Sequence, residues 1–251
     1  MAALLSSYLR DQWVTATDEG LPLLDASTSE LVARWSNEPV DVAAAYDYAR
    51  SVGGPALRRL TFTERAAILR QLAGYLNDRR ESDYYPLSFA TGATLFDSKF
   101  DVDGGIGVLF AYASRGRREL PDSTVYVDGP VEQLAKDGSF VAQHIYTPRH
   151  GLALFINAFN FPVWGMLEKF APAFLAGIPV VVKPAEQTAY LTAKVFADMV
   201  DSGLLPPGAI SLICAAPEGL LDHLTGQDVV SFTGSAETAR QLRQHPVVIR
   251  E

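Results

Sequence analysis

The sequence predicts an α/β protein built on a doubly wound parallel sheet, preceded by helices and a β-hairpin. Three observations carry this. First, Gly151–Ile156 is an apolar run of strand length, Asn157–Phe161 breaks it, and Pro162 suits a first helical turn, having no N–H to satisfy. Second, Val163–Ala176 has helical length with Gly177 as a left-handed cap, and Ile178–Val182 follows as a β-branched run fit for a strand buried on both faces. Third, the alternation continues to the end of the chain. Strands are expected at Leu152, Pro179, Ala209–Cys214, Val229–Thr233 and Val247–Arg250, and helices at Val163, Leu191, Leu220 and Ala236. Five strands and four crossovers make a Rossmann-like sheet, whose ligands lie beyond the carboxyl ends of the strands.

Taken in order, Met1 to Thr28 is mixed in texture and is expected to wrap a surface, with its short runs, Leu21–Leu24 among them, as edge strands. Val40–Val52 reads as a short helix stopped at Gly53-Gly54-Pro55. Thr61 and Glu64 have capping-box spacing, and Phe62, Ala66, Leu69, Leu72 and Leu76 then recur at helical intervals. Two further helices are expected over Asp83–Thr91 and Lys99–Arg115, separated at Gly92, with Arg115, Arg117 and Arg118 forming a basic cluster. Thr124–Tyr146 alternates around Lys136-Asp137-Gly138, a hairpin signal. The chain therefore divides into a helical part (1–123), a hairpin (124–147) and a Rossmann-like part (148–251).

Composition excludes several classes. Hydrophobic residues make up 48% and charged residues 20%, an ordinary globular balance. A net charge of −8 over 251 residues argues against nucleic acid as a partner. The stretch MAALLSSYLRDQW has no basic region, and its apolar run is too short for a signal peptide or a membrane span. A lone cysteine fits a reducing compartment, so the expected address is the cytoplasm and no membrane partner is expected.

The run INAFNFP, then Lys183-Pro184-Ala185-Glu186, then Phe232-Thr233-Gly234-Ser235, resembles the aldehyde dehydrogenase superfamily in motif, order and spacing. Flanking text such as ERAAILRQLAGYL and DSGLLPPGAISLIC looks more narrowly like the PaaZ-type branch, in which the dehydrogenase serves phenylacetate breakdown. The resemblance covers nearly the whole chain and runs out about halfway through such a domain. It implies an NAD- or NADP-dependent oxidation of an aldehyde, in this branch a semialdehyde carried as a coenzyme A thioester. It also implies a homo-oligomer paired through the Thr124–Tyr146 hairpin. The catalytic domain and nucleophile would lie outside these residues, so the polypeptide alone is expected to oxidise no aldehyde.

By the same resemblance, Asn160 donates to the oxyanion formed when a thiolate adds to the aldehyde; as a bare residue it is also an ordinary turn former. Ile156, Phe159, Lys183, Glu186, Phe232, Gly234 and Ser235 are the implied cofactor contacts. Lys183 and Glu186 would sit at the rim beside the adenosine ribose, although a lysine at a strand end is commonly just solvated. A glutamate there accepts from ribose hydroxyls and repels a 2′-phosphate, favouring NAD, whereas the narrower branch is generally NADP-linked. Both cofactors stay open. Gly234-Ser235 would open a helix onto a pyrophosphate, with Phe232 flanking it. The chain departs from the family pattern at Ala239, a usual glycine, at Phe159, often Trp, and at Ala158, usually Pro.

Other residues carry blander readings. Cys214 precedes Gly234, whereas the family's nucleophile follows it, so Cys214 is expected to be a buried structural thiol. Glu251 lies near the family's general base, which in this branch is expected a few residues further on. His144, His150, His223 and His245 lack metal-ligand spacing, and Asp101-Val102-Asp103-Gly104-Gly105 lacks the later ligands of a calcium loop; no metal is expected. The Arg115–Arg118 cluster could meet coenzyme A phosphates but reads first as a solvated charge run. A reading from another class also stands: a non-catalytic nucleotide-binding or oligomer-forming module.

Overall fold

The computed structural model describes residues 3–216 and 218–250. Two three-residue strands come first, β1 (Ser7–Leu9) and β2 (Gln12–Val14), joined by Arg10 and Asp11, both with φ near +55° (53° and 59°). A second hairpin, β3 (Leu21–Leu24) and β4 (Leu31–Trp35), follows, so the expected edge strand at Leu21–Leu24 is present. Helix α1 (Val42–Tyr48) runs through a π turn (Ala49–Gly53) into α2 (Gly54–Arg58). The expected stop at Gly53-Gly54-Pro55 is therefore wrong. Both glycines hold helical dihedrals, and Pro55 sits in a first turn where no N–H is needed. Gly53 has a different use: a Cβ there would overlap the carbonyl of Gly208, against which the helix packs.

Helix α3 (Phe62–Asn77) starts on the Thr61–Glu64 capping box, both halves of which form. A π turn (Arg80–Tyr84) leads into α4 (Tyr85–Phe89), and α5 (Leu95–Glu119) begins on a second box, Thr94–Asp97, earlier than its apolar pattern suggested. The hairpin β5 (Tyr126–Gln133) and β6 (Val141–Tyr146) matches expectation and is exposed along most of both strands. Then come β7 (Ala153–Ile156), α6 (Trp164–Leu175), β8 (Val180–Lys183), α7 (Ala189–Asp201), β9 (Ile210–Leu212), β10 (Val229–Phe232), α8 (Ala236–Arg243) and α9 (Pro246–Arg250). Gly177, at φ 79°, closes α6 as expected.

The main sheet runs β10-β7-β8-β9-β1-β2. Its first four strands are parallel, with the order reversing at β7, while β1 and β2 extend it antiparallel. Two expected elements differ. Val247–Arg250 is helical, with the Ile249 N–H bonded to the His245 carbonyl; so short an apolar run fits a strand or a helical turn equally well, and Val247 and Val248 bury against the core from a helix. Around Leu220 there are single turns, because Gly219 at φ 74° interrupts any helix.

Side chains alternate across the sheet. Ala153, Phe155, Val180 and Val182 face the large core of α3, α5, α6 and α7, whereas Leu152, Leu154 and Val181 face a smaller core with Val42, Ala45 and Tyr46 of α1. Two buried charges join these layers. Arg65, on α3, donates to the carbonyls of Leu57, Leu60 and Leu175, closing the ends of α2 and α6; burial drops it to about 10. Asp228, before β10, accepts from Arg50 (2.5 Å) and from the backbone of Leu152 and Thr225. Burial pushes that carboxyl up, but these donors outweigh it and hold it below its usual range.

Candidate functional site

The register sets Ile156, Lys183 and Phe232 side by side at the carboxyl edge of β7, β8 and β10, where the strand order reverses. That position is the general ligand crevice of doubly wound sheets. Two cavities open from it.

The first, about 260 Å³, is lined by Asn160, Ala158, Phe161, Trp164, Phe100 and Thr233 among others. Asn160 is exposed on the turn between β7 and α6. Three elements clamp that turn by its backbone. Thr188 Oγ1 donates to the Phe159 carbonyl (2.9 Å) and Thr192 Oγ1 to the Pro162 carbonyl (3.0 Å). Asp101, from α5, accepts the N–H groups of Trp164 (2.7 Å) and Val163 (3.2 Å). Asp101 is 4% exposed, and burial pushes its carboxyl up to about 6 despite those two donors. Gly104 and Gly105 continue the same helix face, and Trp164 sits on them; a Cβ at Gly104 would overlap its indole. The segment Asp101–Gly105 is thus the seat of the Asn160 turn. In the sequence it reads as part of the Lys99–Arg115 helix and as a loop lacking the ligands for calcium; two adjacent glycines inside a helical pattern are the signal of close packing.

The second cavity, about 350 Å³, is lined by Ile156, Asn157, Lys183, Leu220, Thr238 and His245 among others. Lys183 is buried rather than at a rim, 9% exposed. Its ammonium donates to the Pro184 carbonyl (3.0 Å) and lies 4.5 Å from the centre of the Trp35 ring. Burial lowers its pKa, with Cys214 and Glu186 opposing. Glu186 opens a short 3₁₀ turn and is half-buried. Ser235 caps α8, accepting from the Thr238 N–H (3.0 Å), and is exposed together with Gly234; the Phe232 ring packs onto Gly234. Phe159 faces a third cleft, about 270 Å³, alongside Asn160, Asp97 and Asp101, away from Lys183. The structure therefore brings Ile156 and Lys183 to one cavity and Asn160 to another. Phe159, Glu186 and Phe232 flank these spaces without lining the Lys183 cavity.

Lys169 was not anticipated. Its Nζ donates to Asn157 Oδ1 (2.6 Å), and burial lowers it to about 8. Among the described residues Asn157 Nδ2 has no partner. Cys214 is 1% exposed, and burial pushes its thiol up to about 12 although the Lys183 ammonium pulls it down. Arg117 and Arg118 fall in the last turn of α5, and Arg115 pairs loosely with Glu119 (3.8 Å) on the surface. Glu251 lies outside the described residues. Among the described residues no helix is long and apolar enough to cross a membrane.

Sheet order and switch point define a doubly wound α/β protein, with cavities at the strand ends where such folds take their ligands. Comparison with known proteins narrows this. The model of the aldehyde dehydrogenase family matches residues 13–247, and the chain belongs to that family. It is 47% identical over 246 residues to the 3,4-dehydroadipyl-CoA semialdehyde dehydrogenase of Aromatoleum evansii, covering 98% of this chain and 47% of that protein. It is 28% identical to the alpha-ketoglutaric semialdehyde dehydrogenase of Bacillus subtilis, covering 95% of this chain and 48% of the relative. The lactaldehyde dehydrogenase structure from Escherichia coli superposes with a TM-score of 0.83 at 22% identity, over all of this chain and 50% of that one. The chain spans about half the length of the curated relatives it matches.

Proposed function

We propose that the chain is the cofactor-binding portion of an NAD(P)-dependent aldehyde dehydrogenase acting on a semialdehyde carried as a coenzyme A thioester, which it oxidises to the acid. The observation that carries the substrate class is the 47% identity to a dehydrogenase of 3,4-dehydroadipyl-CoA semialdehyde. The residues present fit a dinucleotide. Lys183 lines a cavity at the switch point together with Thr238 of α8, and Gly234 and Ser235 are exposed at the start of that helix. Bound there, the nicotinamide would accept the hydride. Ile156 and Lys183 would hold the adenosine side, with Glu186 and Phe232 flanking it and Phe159 in the separate cleft beside Asn160.

Asn160 presents its amide N–H to the aldehyde oxygen as negative charge develops on it, and the three-sided clamp fixes that donor before substrate arrives. The attacking thiolate comes from outside this sequence, because its single cysteine is buried at a strand end with a strongly disfavoured thiolate. In this reading residues 1–123 are the helical part of the cofactor domain and 148–251 its Rossmann-like part. The hairpin at 124–147, with exposed Val127, Val131, Phe140 and Ile145, pairs with a second copy, and the address is cytoplasmic.

The test has two arms. The 251-residue chain should bind NAD+ or NADP+ in a titration and oxidise no aldehyde. The enzyme carrying the full family domain should oxidise a CoA-linked semialdehyde, with Asn160→Ala lowering kcat by about 10²–10³. Turnover indifferent to Asn160, or no binding of either nucleotide, sinks the proposal.

A further inference from the structure

Lys183 is an unusual buried cation. An ammonium has three donors; one goes to the Pro184 carbonyl and one side rests on the Trp35 ring. Among the described residues no carboxylate lies within ion-pair distance of it, and Glu186, three positions on, acts on it only from farther off. A charge buried without a counter-ion is costly. The contact that offsets part of that cost is the indole face of Trp35, itself 2% exposed at the end of β4. A desolvated cation–π contact stabilises the charged form without neutralising it, unlike a carboxylate. Among the described residues the ammonium makes no other hydrogen bond, and Lys183 lines the cavity at the switch point. In doubly wound folds the end of the strand beside the switch point is where the adenosine ribose lies, and a cation there accommodates a 2′-phosphate.

We propose that Trp35 is a positioning residue of the cofactor site: its indole face holds the Lys183 ammonium in place and unneutralised, and so tilts the chain toward a ribose that carries a 2′-phosphate. This rests on the cofactor reading above and adds a residue far from every motif that suggested it. Trp35 does not touch the nucleotide. It acts through Lys183.

The experiment uses two probes that differ only in the 2′-phosphate, adenosine 2′,5′-bisphosphate and 5′-AMP, titrated into the 251-residue chain. Trp13 and Trp164 are replaced by Phe so that Trp35 is the single indole, excited on the red edge where adenine is transparent. The bisphosphate should bind about tenfold more tightly than 5′-AMP, the scale of one charge-assisted hydrogen bond, and change the Trp35 emission, because a 2′-phosphate set on the ammonium that the indole holds alters the charge over the ring. Lys183→Met should remove both the preference and the emission change. Trp35→Leu should reduce the preference to about twofold or less, and Trp35→Phe, which keeps a π face, should restore most of it. A folded Trp35→Leu chain with the preference intact overturns the proposal while leaving the cofactor site standing. If Trp35→Leu does not fold, the single-indole chain decides: binding of the bisphosphate with no emission change overturns it equally. A wild-type chain that binds neither probe nor NAD+ nor NADP+ overturns the cofactor reading itself.

Discussion

Asp101 should make the stability of this chain fall as pH rises, and Asp101→Asn should abolish that dependence. Burial lifts its carboxyl from an ordinary 3.8 to about 6. The folded value lies above the unfolded one, so the folded chain binds more protons between those two values and loses stability as pH rises through that window. At 1.36 kcal/mol per unit the ionised form costs about 3 kcal/mol above the folded pKa. The side chain is almost fully buried, so solvent screening takes little of this. Asparagine cannot ionise. Its Oδ1 can keep the bond from Trp164, while its amide faces the Val163 N–H and forfeits the longer bond, worth about 1 kcal/mol. The variant should therefore be less stable than wild type by about 1 kcal/mol near pH 3, below both values, and more stable by about 2 kcal/mol near pH 7.5. Urea unfolding of both chains across that range measures this. Subtracting one chain from the other cancels groups such as Asp25, Asp97 and Asp228, whose lowered pKa values act in the opposite sense. A gap between the two chains that does not move with pH refutes the reasoning.

Three further outcomes follow from the same packing. Gly104→Ala and Gly107→Ala lie on one helix, and alanine favours a helix interior over glycine by about 1 kcal/mol; at Gly107 a Cβ meets nothing, whereas at Gly104 it overlaps Trp164. Thermal melts should show Gly107→Ala neutral to stabilising and Gly104→Ala destabilising by about 1–3 kcal/mol, and equal effects would mean that Trp164 is not seated there. Arg65→Met leaves three buried carbonyls without their donor and should cost about 3–5 kcal/mol, a fall of roughly 10 °C in Tm; a shift of only one or two degrees would show that water replaces it. Cys214 should resist a thiol reagent in the native chain at neutral pH and react fully in urea; rapid native labelling would contradict a buried, protonated thiol.

What was legible in the sequence was local. The Gly151–Lys183 unit, the Thr61 cap and the hairpin each announce themselves within one turn or one alternation, because capping residues, Gly at positive φ and β-branched runs act on their own neighbours. The expected strand at Val247–Arg250 failed for the same reason: a short apolar run satisfies either period, and only its neighbours decide. Strands β1 and β2 fall among the short runs expected as edge strands, but three residues cannot establish an alternation, and it is the edge of β9 that gives them their pairing.

The site divides along the same line. Asn160, Lys183 and Gly234 stand at or after strand ends and are legible in their motifs; Gly234 packs on Phe232, two residues away, but what fixes Asn160 and Lys183 is remote in sequence. Asp101 reaches Trp164 across 63 residues, and the Lys183 ammonium rests on Trp35. Such contacts leave no periodic trace, since each partner looks locally like something else: Asp101 like a stray acid in a helix, Trp35 like a core aromatic. The one trace they do leave is a local cost. The adjacent Gly104 and Gly105 inside α5 and a buried lysine are each unfavourable alone, and each stands where a distant side chain needs the space or the charge. Residues that break a local rule are therefore the ones that point to the clamp and the cation seat, and the motif residues are what those two devices hold in place.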